Sequence, residues 1–249
     1  MPQVMTQLDA IHRLQRALEQ WPAHPALLAQ LARAQLLTDR VPEAEATLAT
    51  AQGVADPDLA IARAALARRQ GNAPKALAAY ADATALAPRD ARGWLGLGSV
   101  HTEREDTVPA RQKLHQALGL DPHIAGAQGE RGTLETFANR FSEAEAAFAS
   151  ALDDHPADYV ALTGQGLLRL KQGEPQAALD AFLRAGVMEP RYARAKTWTA
   201  VAYYQLGRHQ DALDHARDGV RVMALIDAAL RSRENGGSWV EVAEVSPVA

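Results

Sequence analysis

Residues 142–156, SEAEAAFASALDDHP, decide the fold, because their small and closing residues return at a fixed interval. Ala144 has counterparts at Ala76, Ala110, Ala178 and Ala212, each 34 residues from the next. Phe148 falls in register with Tyr80, Leu114, Phe182 and Ala216, and Ala151 with Ala83, Ala117, Ala185 and Gly219. Pro156 is matched by Pro88, Pro122 and Pro190. A period of this size is the mark of a stacked repeat array, in which each unit touches its neighbours and hides an apolar face that it cannot hide alone.

Working outward, six units follow one another at 25–56, 57–90, 91–124, 125–158, 159–192 and 193–226. Each has the punctuation of two helices. Gly71, Gly173 and Gly207 stand at the fifteenth place of their units, with Asp39 and Asn139 at the same place. These residue types tolerate a left-handed backbone at a helix end, and Glu105 breaks the pattern. Pro42, Pro74, Pro109 and Pro175 open second helices, where proline is accepted. In the fourth unit Ser142 and Glu145 read as a capping box instead. The first unit is 32 residues long, which predicts a tighter closing turn near Gln52-Gly53. Ala64, Gly98, Gly132, Gly166 and Ala200 form one small-residue ladder, and Ala76 to Ala212 the facing one.

Ahead of the units, 1–24 reads as an N-terminal capping helix, with Leu8, Ile11, Leu14, Leu18 and Trp21 on one stripe and Thr6 and Asp9 at its start. Behind them, the stripe Leu213, Ala216, Val220, Met223 and Leu230 carries the last helix on through 227–237, to the stop at Asn235-Gly236-Gly237. The tail 238–249, with WVEVAEV, is extended in character. It is expected to fold back on the exposed end of the array or to lie in the groove of its own or a neighbouring chain.

Composition narrows function. With 47% apolar residues but 5% aromatic, the core is built of Ala and Leu, which suits closely packed helices. The 26 basic and 30 acidic residues leave a net charge of −4 with no long basic run, against nucleic-acid binding. There is no cysteine, hence no disulfide and no thiolate metal site. No apolar run is long enough for a membrane span, and no signal-peptide core opens the chain, so the cytoplasm is the expected location. A chain relieved of its export signal would read the same. The eight histidines form no H-x-x-x-H pair, and no nucleophile elbow or P-loop is present. Gly126, Gly129 and Gly132 follow no strand. They read as a weak first helix and not as a phosphate loop. No catalytic residue, metal or cofactor is expected.

Trp94, Leu97, Gly98, Ala110, Leu114, Ala117 and Pro122 match most of the Trp, Leu-Gly, Tyr, Ala, Phe, Ala, Pro pattern of the tetratricopeptide repeat, which the chain resembles over about residues 8–226. The resemblance implies an all-α, right-handed superhelical solenoid whose first helices line a concave face. It implies binding of a protein or peptide there, without catalysis. Carried onto this sequence, the groove-facing places hold Arg33, Arg68, Arg69, Arg92, Lys171 and Arg194 as bases, and Asp58, Glu103 and Glu130 as acids. Trp198 and Tyr204 add aromatics. The expected partner is an acidic or C-terminal peptide. No three consecutive units complete the Lys and Asn set with which some family members hold a chaperone's C-terminal carboxylate, so that role is disfavoured. Arg131 stands where Leu97 is core one unit earlier. With Glu135 and Arg169 it is expected to form a buried or half-buried ion-pair group across units, either a register device or a polar anchor for a ligand. Rival readings are a homo-oligomeric assembly module and the regulatory arm of an enzyme complex.

Overall fold

The computed structural model describes residues 2–190 and 192–216. Among them are thirteen α-helices and no strand. The chain divides into two compact units, residues 1–124 and 125–249.

The first unit holds α1 (Pro2–Gln20), α2 (Pro25–Leu37), α3 (Val41–Ala49), α4 (Pro57–Arg69), α5 (Ala73–Leu86), α6 (Ala91–Glu103) and α7 (Thr107–Leu120). The second holds α8 (Ala127–Phe137), α9 (Phe141–Asp154), α10 (Tyr159–Lys171), α11 (Pro175–Met188), α12 (Ala193–Gln205) and α13 (His209–Ala216). Even and odd helices alternate as first and second members of helix pairs, α2 with α3 through α12 with α13. The expected extension over 227–237 and the tail 238–249 lie outside the described residues.

Local chemistry starts and stops these helices. Asp56, Asn72, Asp90 and Asp158 each accept a backbone N–H of the turn that follows, the role that makes such residues good helix starts. Asp158 does more. Its Oδ1 accepts from Val160 N at 2.9 Å and Ala161 N at 3.0 Å, while Oδ2 accepts from Gly126 N at 3.1 Å. One carboxylate thus caps α10 and holds the entry to α8. The expected box at Ser142 is not used: α9 begins one residue earlier, at Phe141, and Arg140 makes no side-chain cap. Thr6 likewise lies inside α1, which starts at Pro2.

Every first helix ends in the same way. Asp39, Gly71, Glu105, Asn139, Gly173 and Gly207 all have positive φ, between 57° and 80°. Glu105, which the composition sets apart, adopts the left-handed turn too, at φ 62°. The backbone exit from each first helix is therefore common to all units, and Glu105 carries the steric cost that glycine avoids.

The turn near Gly53 is not tighter. α3 has 9 residues against 14 in α5, α7, α9 and α11, so the shortening falls on the helix. Residues 50–56 join α3 to α4 as an irregular link, with Gly53 at φ 81°. Arg63 holds the link from α4, donating to Ala51 O at 2.6 Å and Val54 O at 3.3 Å.

The core follows the ladders. Ala44, Ala76, Ala110, Ala144, Ala178 and Ala212 are all fully buried. A Cβ built on Gly98 would stand 2.7 Å from Leu114, one on Gly132 2.5 Å from the Phe148 ring and one on Gly166 2.4 Å from the Phe182 ring. The first helix of the next repeat closes over such rings from the other side: a Cβ on Gly96 would meet Tyr80 at 2.2 Å, and one on Gly164 would meet Phe148 at 2.2 Å. Phe148 is thus clasped between glycines of α8 and α10. Phe148 and Phe182 are wholly buried, and truncation of such a ring costs about 3–5 kcal/mol.

Candidate functional site

In the first unit the first-helix residues carry charge in matched sets. Arg92 on α6 reaches Asp58 on α4 at 2.8 Å and its own helix cap Asp90. Arg68 on α4 pairs with Glu103 on α6. Arg69 donates to Asp39 Oδ1 at 2.6 Å. Burial lowers the proton affinity of the Arg68 guanidinium, but Glu103 and Tyr80 outweigh it and hold the group above the ordinary arginine range. Hydrogen bonding to the Arg92 side chain holds the Asp90 carboxyl below the ordinary range, against an opposing push from burial. Arg92 is raised in return, chiefly by its bond to Asp90. Arg33 is exposed and has no ion-pair partner among the described residues. Arg68, Arg69 and Arg92 are thus occupied within the chain. Any acidic ligand competes with Asp39, Asp58, Asp90 and Glu103.

The second unit arranges its charges differently. Glu130 on α8 is 3% exposed, and Arg194 on α12 reaches it past α10, Nη1 to Oε2 at 3.3 Å. These residues lie 64 apart, two repeats, whereas the first unit's first-helix pairs join neighbouring units. Several places around them on these helices are sealed: Thr133, Thr163, Leu167 and Val201 are all buried. Lys171 ends α10 by donating to Asn139 Oδ1 at 3.0 Å, and its ammonium lies 5.8 Å from the Phe137 ring centroid. The Lys171–Asn139 contact repeats the register of Arg69–Asp39: a base at the thirteenth place holds the left-handed residue that ends the preceding first helix.

Two expected members change character. Trp198 is only 9% exposed and packs with Leu167, Leu179, Phe182 and Val201, so it belongs to the core more than to an open groove. Tyr204 is half-buried beside the same cluster, its ring 4.9 Å from that of His209. The group of Arg131, Glu135 and Arg169 is not buried together. Arg131 is exposed, Glu135 pairs with Arg140, and Arg169 reaches Glu145 at 3.6 Å and Glu174 at 3.5 Å. The place that Leu97 fills in the core faces outward in α8. Asp39 and Asn139 were missed as partners because they read only as turn residues, and Asp90 was not singled out by the sequence. A long base offset by 30 or 32 residues from a left-handed Asp or Asn is the signal that finds the first two.

Among the described residues no group of His, Asp and Glu is disposed to hold a metal, and no helix is long and apolar enough to cross a membrane. His101 Nδ1 lies 3.2 Å from Asp106 and closes the end of α6.

Comparison with known proteins gives the same architecture. Models of the tetratricopeptide repeat match residues 8–69, 61–125, 130–187 and 163–221. No curated protein sequence matches the chain. Among solved structures, one described as the APC/C hetero-tetramer Cut9-Hcn1 superposes with TM-score 0.71 at 16% identity, over 90% of this chain and 46% of that one. This chain therefore spans about half the length of that relative. A tetratricopeptide repeat protein from Parabacteroides merdae gives TM-score 0.61 at 19% identity, over 90% and 92% of the two chains. PilW, described as a type IV pilus biogenesis factor, gives 0.55 at 19%, over 76% and 89%. At such identities these likenesses establish the fold. With the family models spanning most of its length, the chain belongs to the tetratricopeptide repeat family, whose members bind proteins or peptides.

Proposed function

We propose that the chain is a non-enzymatic scaffold that binds a segment of another protein along the face of its first helices, centred in the second unit on α8, α10 and α12. The observation that carries this reading is the Glu130–Arg194 pair. Its carboxylate is sunk in the floor, while the arginine reaches the surface from the far helix. Arg and Tyr are the residue types that dominate protein interfaces, and Arg194, Tyr204 and Lys171 are the part-exposed members here. An acidic or C-terminal group of the partner is anchored by the outer edge of Arg194, with Glu130 holding that side chain in place. Because the first unit's cations already hold acids, Arg33 is the base there most open to a partner.

A photo-crosslinking residue at Thr197, part-exposed on α12, tests the reading against one at Gln176, exposed on α11. Crosslinks to a cellular protein from Thr197 and not from Gln176 support it, and the reverse pattern refutes it. A second reading, assembly of copies, draws on Leu183, Val187 and Met188 of α11, of which Val187 is 72% exposed. Light scattering of Val187→Glu against the parent separates the two.

A further inference from the structure

The exposed face of α11 is unlike that of α9, the second helix before it. Leu183, Val187 and Met188 are 42%, 72% and 42% exposed, three large apolar side chains on one stretch of a single helix. The same places in α9 hold Ala149, Asp153 and Asp154.

Charge on this face is laid out as regularly. Ala177, Asp180, Arg184 and Val187 are all exposed and stand three, four and three residues apart, the spacing of a seam down one side of a helix. Asp180 and Arg184 are one turn apart, yet Arg184 makes no hydrogen bond or ion pair among the described residues. Gln176 Nε2 donates instead to Asp180 Oδ1 at 3.1 Å, a neutral contact that leaves the carboxylate's charge unbalanced. Arg169 lines a cleft beside both, but it is held by Glu145 and Glu174.

A seam with one acid and one base set between two apolar ends is complementary to itself run backwards. Two copies of α11 laid antiparallel about a two-fold axis set Asp180 of each against Arg184 of the other, and Val187 of each at the level of Ala177 of the other. Leu183 then lies beside its own counterpart near the axis. The matching places of α9 fail this test, since the same overlay would set Glu143 against Asp153.

We propose that α11 is a self-association face, which joins two copies of the chain antiparallel through reciprocal Asp180–Arg184 pairs around Leu183 and Val187. The inference rests on the second reading above, assembly of copies, and supplies its geometry. It uses no residue of the Glu130–Arg194 face, so the first reading stands or falls apart from it. The seam is short, so association is weak, and the charges select the register more than they add affinity.

Sedimentation velocity of the full chain across a range of concentrations tests this. The parent is expected to pass from monomer to dimer. Asp180→Arg and Arg184→Asp each set like charges opposite one another and should weaken the dimer at least tenfold. Mixed in equal amounts, the two variants should associate with each other, because each supplies the charge that the other lacks. The double variant Asp180→Arg, Arg184→Asp should regain the parent's dimer. Both side chains are exposed, so the variants should keep the parent's circular dichroism. A dimer that both single variants retain overturns the α11 geometry and leaves assembly through another face. Single variants that stay apart when mixed overturn the antiparallel register. A parent that is monomeric at every concentration overturns the proposal and the assembly reading together.

Discussion

The two units solve one electrostatic problem in opposite ways. In residues 1–124 the first-helix charges meet at the surface, with side-chain exposures from 29% to 61% for the Arg68–Glu103, Arg69–Asp39 and Arg92–Asp58 pairs. In residues 125–249 the Glu130–Arg194 pair is withdrawn, at 4% and 18%. Pairs of the first kind are screened by water and contribute about 0–1 kcal/mol each. A pair of the second kind is expensive to break, because the remaining charge has lost its solvent. The first helices and their ends therefore carry an adjustable charged surface in one unit and a fixed polar strut in the other.

That contrast gives the largest expected effect. Arg194→Met should cost about 3–5 kcal/mol in urea unfolding by stranding Glu130, whereas Arg69→Met should cost no more than about 1 kcal/mol. Adding Glu130→Gln to Arg194→Met should recover most of the loss. Equal small effects at Arg194 and Arg69 would erase the distinction between the units.

Next come the glycines of the core. Gly164→Ala drives a methyl to 2.2 Å from the Phe148 ring and should destabilise by about 1–3 kcal/mol, although alanine is the better helix former. Gly119, on α7, has no atom within 4 Å of the added Cβ, so Gly119→Ala should stabilise by up to about 1 kcal/mol. Calorimetric melting of the two variants should move in opposite directions.

Smaller still is the turn at Glu105. Asparagine tolerates its left-handed backbone better, so Glu105→Asn should stabilise by about 0.5–1 kcal/mol in thermal unfolding.

The smallest effect is one of pH. Asp90 is held below the ordinary carboxylate range in the fold, so it releases its proton more readily there than in the unfolded chain. Its contribution is fully present above the unfolded value of about 3.9 and is lost as pH falls through the lower folded value. With Arg92 well exposed, the amount is below about 1 kcal/mol. Asp90→Asn should flatten the stability curve below about pH 4, as read by denaturation at stepped pH.

The fold was legible because steric demands repeat. Ala144, Gly132 and Phe148 each occupy a place where size is dictated by a neighbouring helix, and such places recur every 34 residues. The candidate site was legible only in its places. Position alone marks Arg68, Arg92 and Arg194 as first-helix residues, but their partners depend on how far a flexible side chain reaches. Arg194 passes over a whole helix to Glu130, while Arg169 turns to Glu145 and Glu174. Arg131 was misplaced for a related reason. Its counterpart Leu97 is buried, yet α8 turns that place outward, and a single register letter does not carry that rotation. The length of α3 was hidden too, because a two-residue deletion does not say whether a helix or a turn has absorbed it.

The clasp around Phe148 bears on how such an array can grow. Its ring needs a glycine at the sixth place of the unit that follows, which Gly164 supplies. Phe182 is followed instead by Trp198, and the two pack in one cluster. A duplication that set the Trp198 unit directly after Phe148 would place an indole where Gly164 now leaves room for the ring. The units are therefore not interchangeable modules. They are words with agreement between neighbours, and a rearranged array keeps its packing only where each ring meets a sixth-place residue of fitting size.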